Sequence, residues 1–193
     1  MVIALVRHGQ TDWNLERRMQ GTSDIPLNAL GREQALAAGA LLAEEHWDVI
    51  VSSPLVRARE TASIIADRIG LPLGAAYVDL GEQHFGEAEG GVVAEVMERW
   101  PDRLFPGMEP DADVEARGFR ALTRIVEDFG DANVIAVAHG TLIRATLAAV
   151  SGRPRTSYPY LDNGSSTRLR VDAEGWRVLT VGGEPVGLEV ETA

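Results

Sequence analysis

The 193-residue chain contains no cysteine. That excludes disulfides, cysteine-based zinc sites and a cysteine nucleophile, and with them every cysteine-dependent phosphatase mechanism. Positive charge is also scarce. The formal net charge is −11, so the surface as a whole repels nucleic acid and anionic membranes, and any cluster of arginines stands out against that background. Long hydrophobic runs are missing too. The N-terminal apolar run, Val2 to Val6, has no basic segment before it. It is too short for a signal peptide, which takes roughly 7–15 apolar residues, or for a membrane span, which takes about 20. These absences predict a cytoplasmic protein with no nucleic-acid or membrane partner. The hydrophobic share, 45%, is ordinary for a chain that buries a core without staples, and the length suits a single domain over residues 1–193.

Four apolar runs read as buried strands: Val2–Val6, Asp48–Val51, Ala75–Leu80 and Asn133–Ala138. They show little alternation, the pattern of parallel strands covered on both faces. Helical patterns lie between them. Leu30–Glu45 follows Asn28 as N-cap, Leu55–Ile69 stops at Gly70, Ala112–Phe129 stops at Gly130, and Thr141–Val150 stops near Gly152. The alternation predicts an α/β fold, a mostly parallel central sheet with helices on both faces. Thr167–Val171 and Trp176–Val181 alternate around Asp172–Gly175, which predicts a C-terminal hairpin at one sheet edge. Such an edge offers a surface for a homodimer. Residues 183–193, rich in Gly and Glu, are expected to fray. Residues 81–111, with their Gly, Pro and acidic side chains, are expected to form an irregular cap over the site, with a short helix near Val92–Trp100.

Two segments end alike, Leu5-Val-Arg-His-Gly9 and Val137-Ala-His-Gly140. Each is an apolar strand running into His-Gly. Ligands in open α/β sheets bind outside the carboxyl ends of strands, where both histidines fall. Arg57 follows the second strand run and Glu82 the third. Arg7, His8, Arg57, Glu82 and His139 therefore converge from four strand ends. This set suits phosphoryl transfer. Arginine forks match phosphate oxygens, and His139 as an imidazolium adds a donor. The backbone N–H groups after Gly140 add more. A neutral His8 nitrogen attacks phosphorus, and Glu82 supplies the leaving group's proton, then activates water. Glu87 and Glu89 stand close enough to compete for the acid role. Arg59 lies two residues beyond Arg57, and His84 sits near Glu82.

Arg7-His-Gly-Gln-Thr11 resembles the signature of the histidine phosphatase (phosphoglycerate-mutase-like) superfamily. Supporting motifs recur in family order: Asn14, Gln20-Gly21, Asp24–Leu27, Gly31–Gln34, Ser52–Ala62, Leu80-Gly-Glu82 with Phe85–Gly90, and Ala138-His-Gly140. The likeness spans roughly residues 1–182. It implies His8 as the phosphorylated nucleophile, Arg7, Arg57 and His139 as the phosphate pocket, and Glu82 as the proton donor. It selects Arg57 over Arg59. Asn14, Gln20, Gly21 and Gly140 match positions lining the phosphate or substrate site. No metal or other cofactor is implied. The implied function is hydrolysis of a small phosphomonoester. The alternatives are a cofactor-dependent phosphoglycerate mutase and a non-catalytic phospho-ligand binding module. The mutase branch carries an arginine- and tyrosine-rich stretch after the acid that is missing here, and both nucleophile and acid are present, against a degenerate binder. Two departures are expected to widen the pocket mouth: Ala88 where relatives often have Trp, and Gly81 where many have a larger polar residue. Within residues 81–111 only Arg99 and Arg103 are positive, which leaves few anchors there for a second acidic group on the substrate.

Overall fold

A computed structural model describes residues 1–186. The elements in chain order are β1 (Val2–Arg7), α1 (Asp12–Leu15), α2 (Ala29–Leu42), β2 (Val49–Ser52), α3 (Val56–Ile69), β3 (Leu73–Ala76), α4 (Val93–Arg99), α5 (Asp111–Phe129), β4 (Val134–Ala138), α6 (Gly140–Ser151), β5 (Ser166–Asp172), β6 (Gly175–Val181) and β7 (Glu184–Pro185). Among the described residues the strands form one sheet in the order β3-β2-β4-β1-β5-β6-β7. β3, β2, β4 and β1 run parallel, while β5, β6 and β7 add on antiparallel beyond β1.

The lack of alternation in β1 and β4 has a simple cause: both faces are buried. Ile3 and Leu5 of β1, with Val134, Ala136 and Ala138 of β4, pack on one side against Leu122 and Ile125 of α5 and Leu142 and Ile143 of α6. Ala4 and Val6, with Ile135 and Val137, pack on the other against Leu42 of α2 and Ala62 and Ile65 of α3. Each large aliphatic side chain so buried contributes about 1.5–3 kcal/mol, more than a cap does. The caps set where helices begin and end. Asn28 accepts a hydrogen bond from Gly31 N at 2.9 Å at the start of α2. Gly70 and Gly152 close α3 and α6 at φ 75° and 70°, a left-handed conformation that glycine adopts without a Cβ penalty.

The third expected strand is shifted. β3 spans Leu73–Ala76, and Val78–Leu80 forms a 3₁₀ turn instead. Tyr77 N donates to Ser52 O at 2.9 Å and Gly81 N to Val78 O at 2.9 Å, so the chain leaves the sheet there and turns toward the site. The hairpin forms at the sheet edge as expected, and β7, with Pro185, is the outermost described strand. Of the tail expected to fray, residues 187–193 lie outside the described residues. Residues 85–108 build a third, smaller cluster: Ala88, Val96 and Phe105 bury against Met19, with Phe85, Met97 and Trp100 packed around them.

Candidate active site

β4 lies between β2 and β1, so the chain winds outward in opposite directions from the β1/β4 pair. Such a reversal opens a crevice at the carboxyl ends of the strands. The parallel register pairs Arg7 with Ala138, which sets the next residues, His8 and His139, side by side. His8 N donates to Ala138 O at 3.0 Å, and the two imidazole centroids are 5.1 Å apart. Both rings are buried. His8 Nδ1 donates to the Gly9 carbonyl at 2.7 Å, which leaves the Nε2 lone pair free. His139 Nε2 is hydrogen-bonded to Ser53 Oγ at 2.8 Å.

Charge explains the state of both rings. Burial, then the Arg57 and Arg7 guanidinium charges, push the pKa of His8 well below 6.5. Burial, then Arg57 and His8, do the same for His139. In the site without phosphate, His139 is therefore held neutral among guanidinium groups.

Arg57 is wholly buried on the first turn of α3. Its Nη1 donates to Ser23 O and its Nη2 to Gly21 O, each at 2.7 Å. Arg7 donates through Nη1 to Leu161 O. Arg7 Nε, Arg57 Nε and His139 Nδ1 are buried with no hydrogen-bond partner among the described residues. An unpaired buried N–H is costly, and a phosphate oxygen satisfies it. Arg59, by contrast, lies outside the cavity lining.

Glu82 stands opposite, and its carboxylate takes three backbone N–H groups: Gln83 N at 2.9 Å, Leu142 N at 3.0 Å and Thr141 N at 3.2 Å. The N-terminus of α6, expected to face the phosphate, is thus engaged by Glu82. Glu87 is exposed. Glu89 organises the loop instead of facing the cavity, accepting from Thr22 N at 2.9 Å, Phe85 N at 3.0 Å, Ser23 N at 3.1 Å and Ser23 Oγ at 2.8 Å. His84 Nδ1 lies 2.8 Å from the same carboxylate. The Gly21–Ser23 loop held by Glu89 is the loop that anchors Arg57.

Arg7, His8, Asn14, Gln20, Gly21, Arg57, Glu82 and Gly140 all line one cavity of about 240 Å³. His139 lies behind them, touching His8. Neither Ala88 nor Gly81 lines it. Ala88 is buried in the smaller hydrophobic cluster, and the Gly81 carbonyl accepts from Arg117, so these departures do not widen the mouth. Among the described residues no cluster of three or more acidic or histidine side chains is placed to hold a metal, and no helix is long and apolar enough to cross a membrane.

The profile of the histidine phosphatase superfamily (branch 1) matches residues 3–183. The chain belongs to this superfamily. It is 38% identical over 177 residues to the Bacillus subtilis (strain 168) protein named uncharacterized phosphatase PhoE, covering 91% of each chain. It is 39% identical over 176 residues to a glucosyl-3-phosphoglycerate phosphatase of Mycolicibacterium vanbaalenii, covering 82% of this chain and 78% of that one. Among solved structures, a mycobacterial glucosyl-3-phosphoglycerate phosphatase in complex with VO3 superposes with a TM-score of 0.86 at 34% identity, over 94% of this chain and 98% of that one.

Further residues support the candidate site; Arg117 and Asn163 carry no local sequence signal, whereas Ser53 and Thr61 lie in the Ser52–Ala62 motif without a role assigned from it. Arg117 of α5 donates to the carbonyls of Asp79 at 3.0 Å, Gly81 at 2.6 Å and Glu82 at 3.0 Å, and so fixes the backbone that presents Glu82. Asn163 Nδ2 donates to His8 O at 2.9 Å. Thr61 Oγ1 accepts from Gly9 N at 3.0 Å and donates to Arg57 O at 2.7 Å. Ser53, just after the end of β2, fixes the His139 ring through its Oγ at 2.8 Å.

Proposed function

We propose that the protein hydrolyses small phosphomonoesters through a phosphohistidine at His8. One observation carries the reading: a buried, neutral histidine whose Nδ1 is tied to the Gly9 carbonyl, leaving Nε2 as nucleophile beside two arginines. The phosphate enters between Arg7 and Arg57, whose fixed positive charges stabilise the negative charge that spreads over the phosphoryl oxygens during transfer. His8 Nε2 attacks phosphorus as the ester P–O bond breaks, and Glu82 gives its proton to the departing oxygen. The same carboxylate then takes a proton from water as that water attacks the phosphoryl group. Inorganic phosphate leaves, and His8 is regenerated. Asn14, Gln20, Gly21 and Gly140 shape the rest of the pocket. That the relatives at 38% and 39% identity are named phosphatases supports hydrolysis over the mutase reading.

The test is release of inorganic phosphate from aryl and alkyl phosphates in the presence of EDTA, with His8→Ala alongside. Turnover by the native enzyme and none by His8→Ala is expected. Full turnover in His8→Ala contradicts the named nucleophile, and inactivity of the native enzyme across a broad ester panel contradicts the reaction.

A further inference from the structure

The cavity runs on past the phosphate end, and its outer wall carries cations that the proposed reaction does not use. The chain has no lysine, so every fixed positive charge is a guanidinium. Arg18, Arg103, Arg144 and Arg155 all reach the cavity. Two of them are already neutralised. Arg155 pairs with Asp111 at 2.7 Å, and Arg18 with Glu16 at 2.6 Å. Arg103 and Arg144 have no carboxylate within ion-pairing distance among the described residues. Arg99, the other cation foreseen for this region, stacks on Trp100 at 4.2 Å and does not line the cavity.

Both unneutralised guanidiniums converge on Tyr160. Arg144 holds its guanidinium 4.6 Å from the Tyr160 ring centroid, braced by Nε on Tyr158 O at 3.1 Å and Nη2 on Arg155 O at 3.3 Å. The neighbouring guanidinium of Arg103, and then that of Arg144, hold the Tyr160 phenol below its ordinary pKa. Two cations thus lie against a single phenol ring and its hydroxyl end. Arg103 also occupies φ 62°, a left-handed conformation disfavoured for a side chain with a Cβ, and such strain concentrates at ligand clamps. The same cavity is lined by the apolar side chains of Phe85, Val93 and Met97. The cavity, about 240 Å³, lies below the usual range of roughly 300–1,000 Å³ for ligand pockets, which restricts the occupant to a small molecule.

We propose that Arg103, Arg144 and Tyr160 form a second oxyanion subsite. The substrate is then a small phosphomonoester whose leaving group carries a further anionic group, a carboxylate or a second phosphate, across a short carbon skeleton. This inference rests on the phosphatase reading for the first phosphate. It supplies the second-acid anchors that residues 81–111 alone lack, because Arg144 and Tyr160 come from α6 and the segment after it.

The test compares phenyl phosphates bearing a carboxylate, a second phosphate or a neutral hydroxymethyl group at the same ring position. The native enzyme, Arg103→Gly and Arg144→Gln are assayed, and the anionic-to-neutral ratio of kcat/KM is taken within each protein. Glycine adopts the φ of Arg103 without strain, so that variant keeps the turn. The native ratio is expected to be about tenfold or more, consistent with a charge-assisted hydrogen bond. Each variant lowers it by about that factor, and added salt lowers it in the native enzyme. Whichever anionic arm shows the larger ratio names the second group. A native ratio near one, or a ratio unchanged in both variants, overturns the subsite while leaving hydrolysis intact. If no ester turns over, the phosphatase reading fails instead. Calorimetric binding of the same three compounds then reads the subsite alone, and equal affinities overturn it.

Discussion

The buried pair of His8 and His139 makes the protein's stability depend on pH in a defined window. Each histidine titrates near 6.5 when unfolded, and both are pushed well below that in the folded chain, chiefly by burial and then by Arg57. Below pH 6.5 the unfolded state therefore binds more protons than the folded one. The stabilisation is complete above pH 6.5 and is lost as pH falls toward the folded pKa values. For each histidine the slope approaches about 1.4 kcal/mol per pH unit. At pH 5.0 that amounts to about 2 kcal/mol per ring, or about 4 kcal/mol for the pair, as long as both stay neutral when folded. For a domain held by about 5–15 kcal/mol this is a large share.

The assay is urea unfolding of the native protein at intervals from pH 7.5 to pH 5.0, beside His8→Asn, His139→Gln and the double variant. Asn retains a donor near the Nδ1 position, and Gln reaches toward Ser53. The carboxylates held below their ordinary range, including Glu89 and Glu109, lose their contribution at lower pH and are common to all four proteins. The gap in pH dependence between native protein and double variant is expected to approach about 2.7 kcal/mol per pH unit below pH 6, with each single variant showing half. Identical pH profiles for the native protein and the double variant would refute the claim that these rings are buried and neutral.

Glu82→Gln keeps one acceptor oxygen, for Gln83 N and Leu142 N, but puts an NH2 group where Thr141 N finds an oxygen and removes the acidic proton. It should slow alkyl phosphate hydrolysis by about 10²–10⁴ and 4-nitrophenyl phosphate hydrolysis far less, and equal losses on both esters would contradict the acid role. Arg57→Lys forfeits the fork on Ser23 O and Gly21 O, and a loss of about 10²-fold or more in kcat/KM is expected, measured on a single aryl ester. Glu89→Ala strands the N–H groups of Thr22, Ser23 and Phe85 and releases the loop that seats Arg57. A loss of about 2–3 kcal/mol in urea melts should accompany a fall in kcat/KM. Gly31→Ala drives a Cβ to 2.1 Å from Gln10 O, a backbone atom that cannot swing away. Overpacking there should cost about 1–3 kcal/mol by thermal or chemical unfolding.

Much of this molecule is legible without coordinates because the informative residues sit beside backbone features that are themselves periodic. Uninterrupted apolar runs mark β1 and β4 because both faces are covered, and each run ends at a His-Gly pair. Gly70 and Gly152 mark helix ends because those ends need positive φ. β3 was harder to place. Ala75–Leu80 is the more apolar stretch, yet pairing of Leu73 with Ile50 and the turn from Tyr77 to Gly81 decide where the strand stops, and both depend on partners distant in sequence. Arg117 and Asn163 escape sequence reading for the same reason, and Glu89, which the sequence offers as a rival acid, takes its loop-holding task from the distant Thr22 and Ser23. Arg117 reads as one more polar residue on an amphipathic helix, and only the packing of α5 beside Asp79–Glu82 gives it a task. The charge state of His139 is a sum of burial and neighbouring guanidiniums, which no local pattern reports. The free cations Arg103 and Arg144 could be recognised only once Asp111 and Glu16 were seen to neutralise the others.

The central claim, that His8 carries the phosphoryl group, is tested most directly by quenching the enzyme during turnover and locating covalent phosphate by mass spectrometry under conditions that preserve phosphohistidine. One phosphoryl group is expected on the peptide containing His8, labile in acid, stable in base and missing in His8→Ala. Turnover with no label on that peptide, or a label on any other residue, would contradict the account.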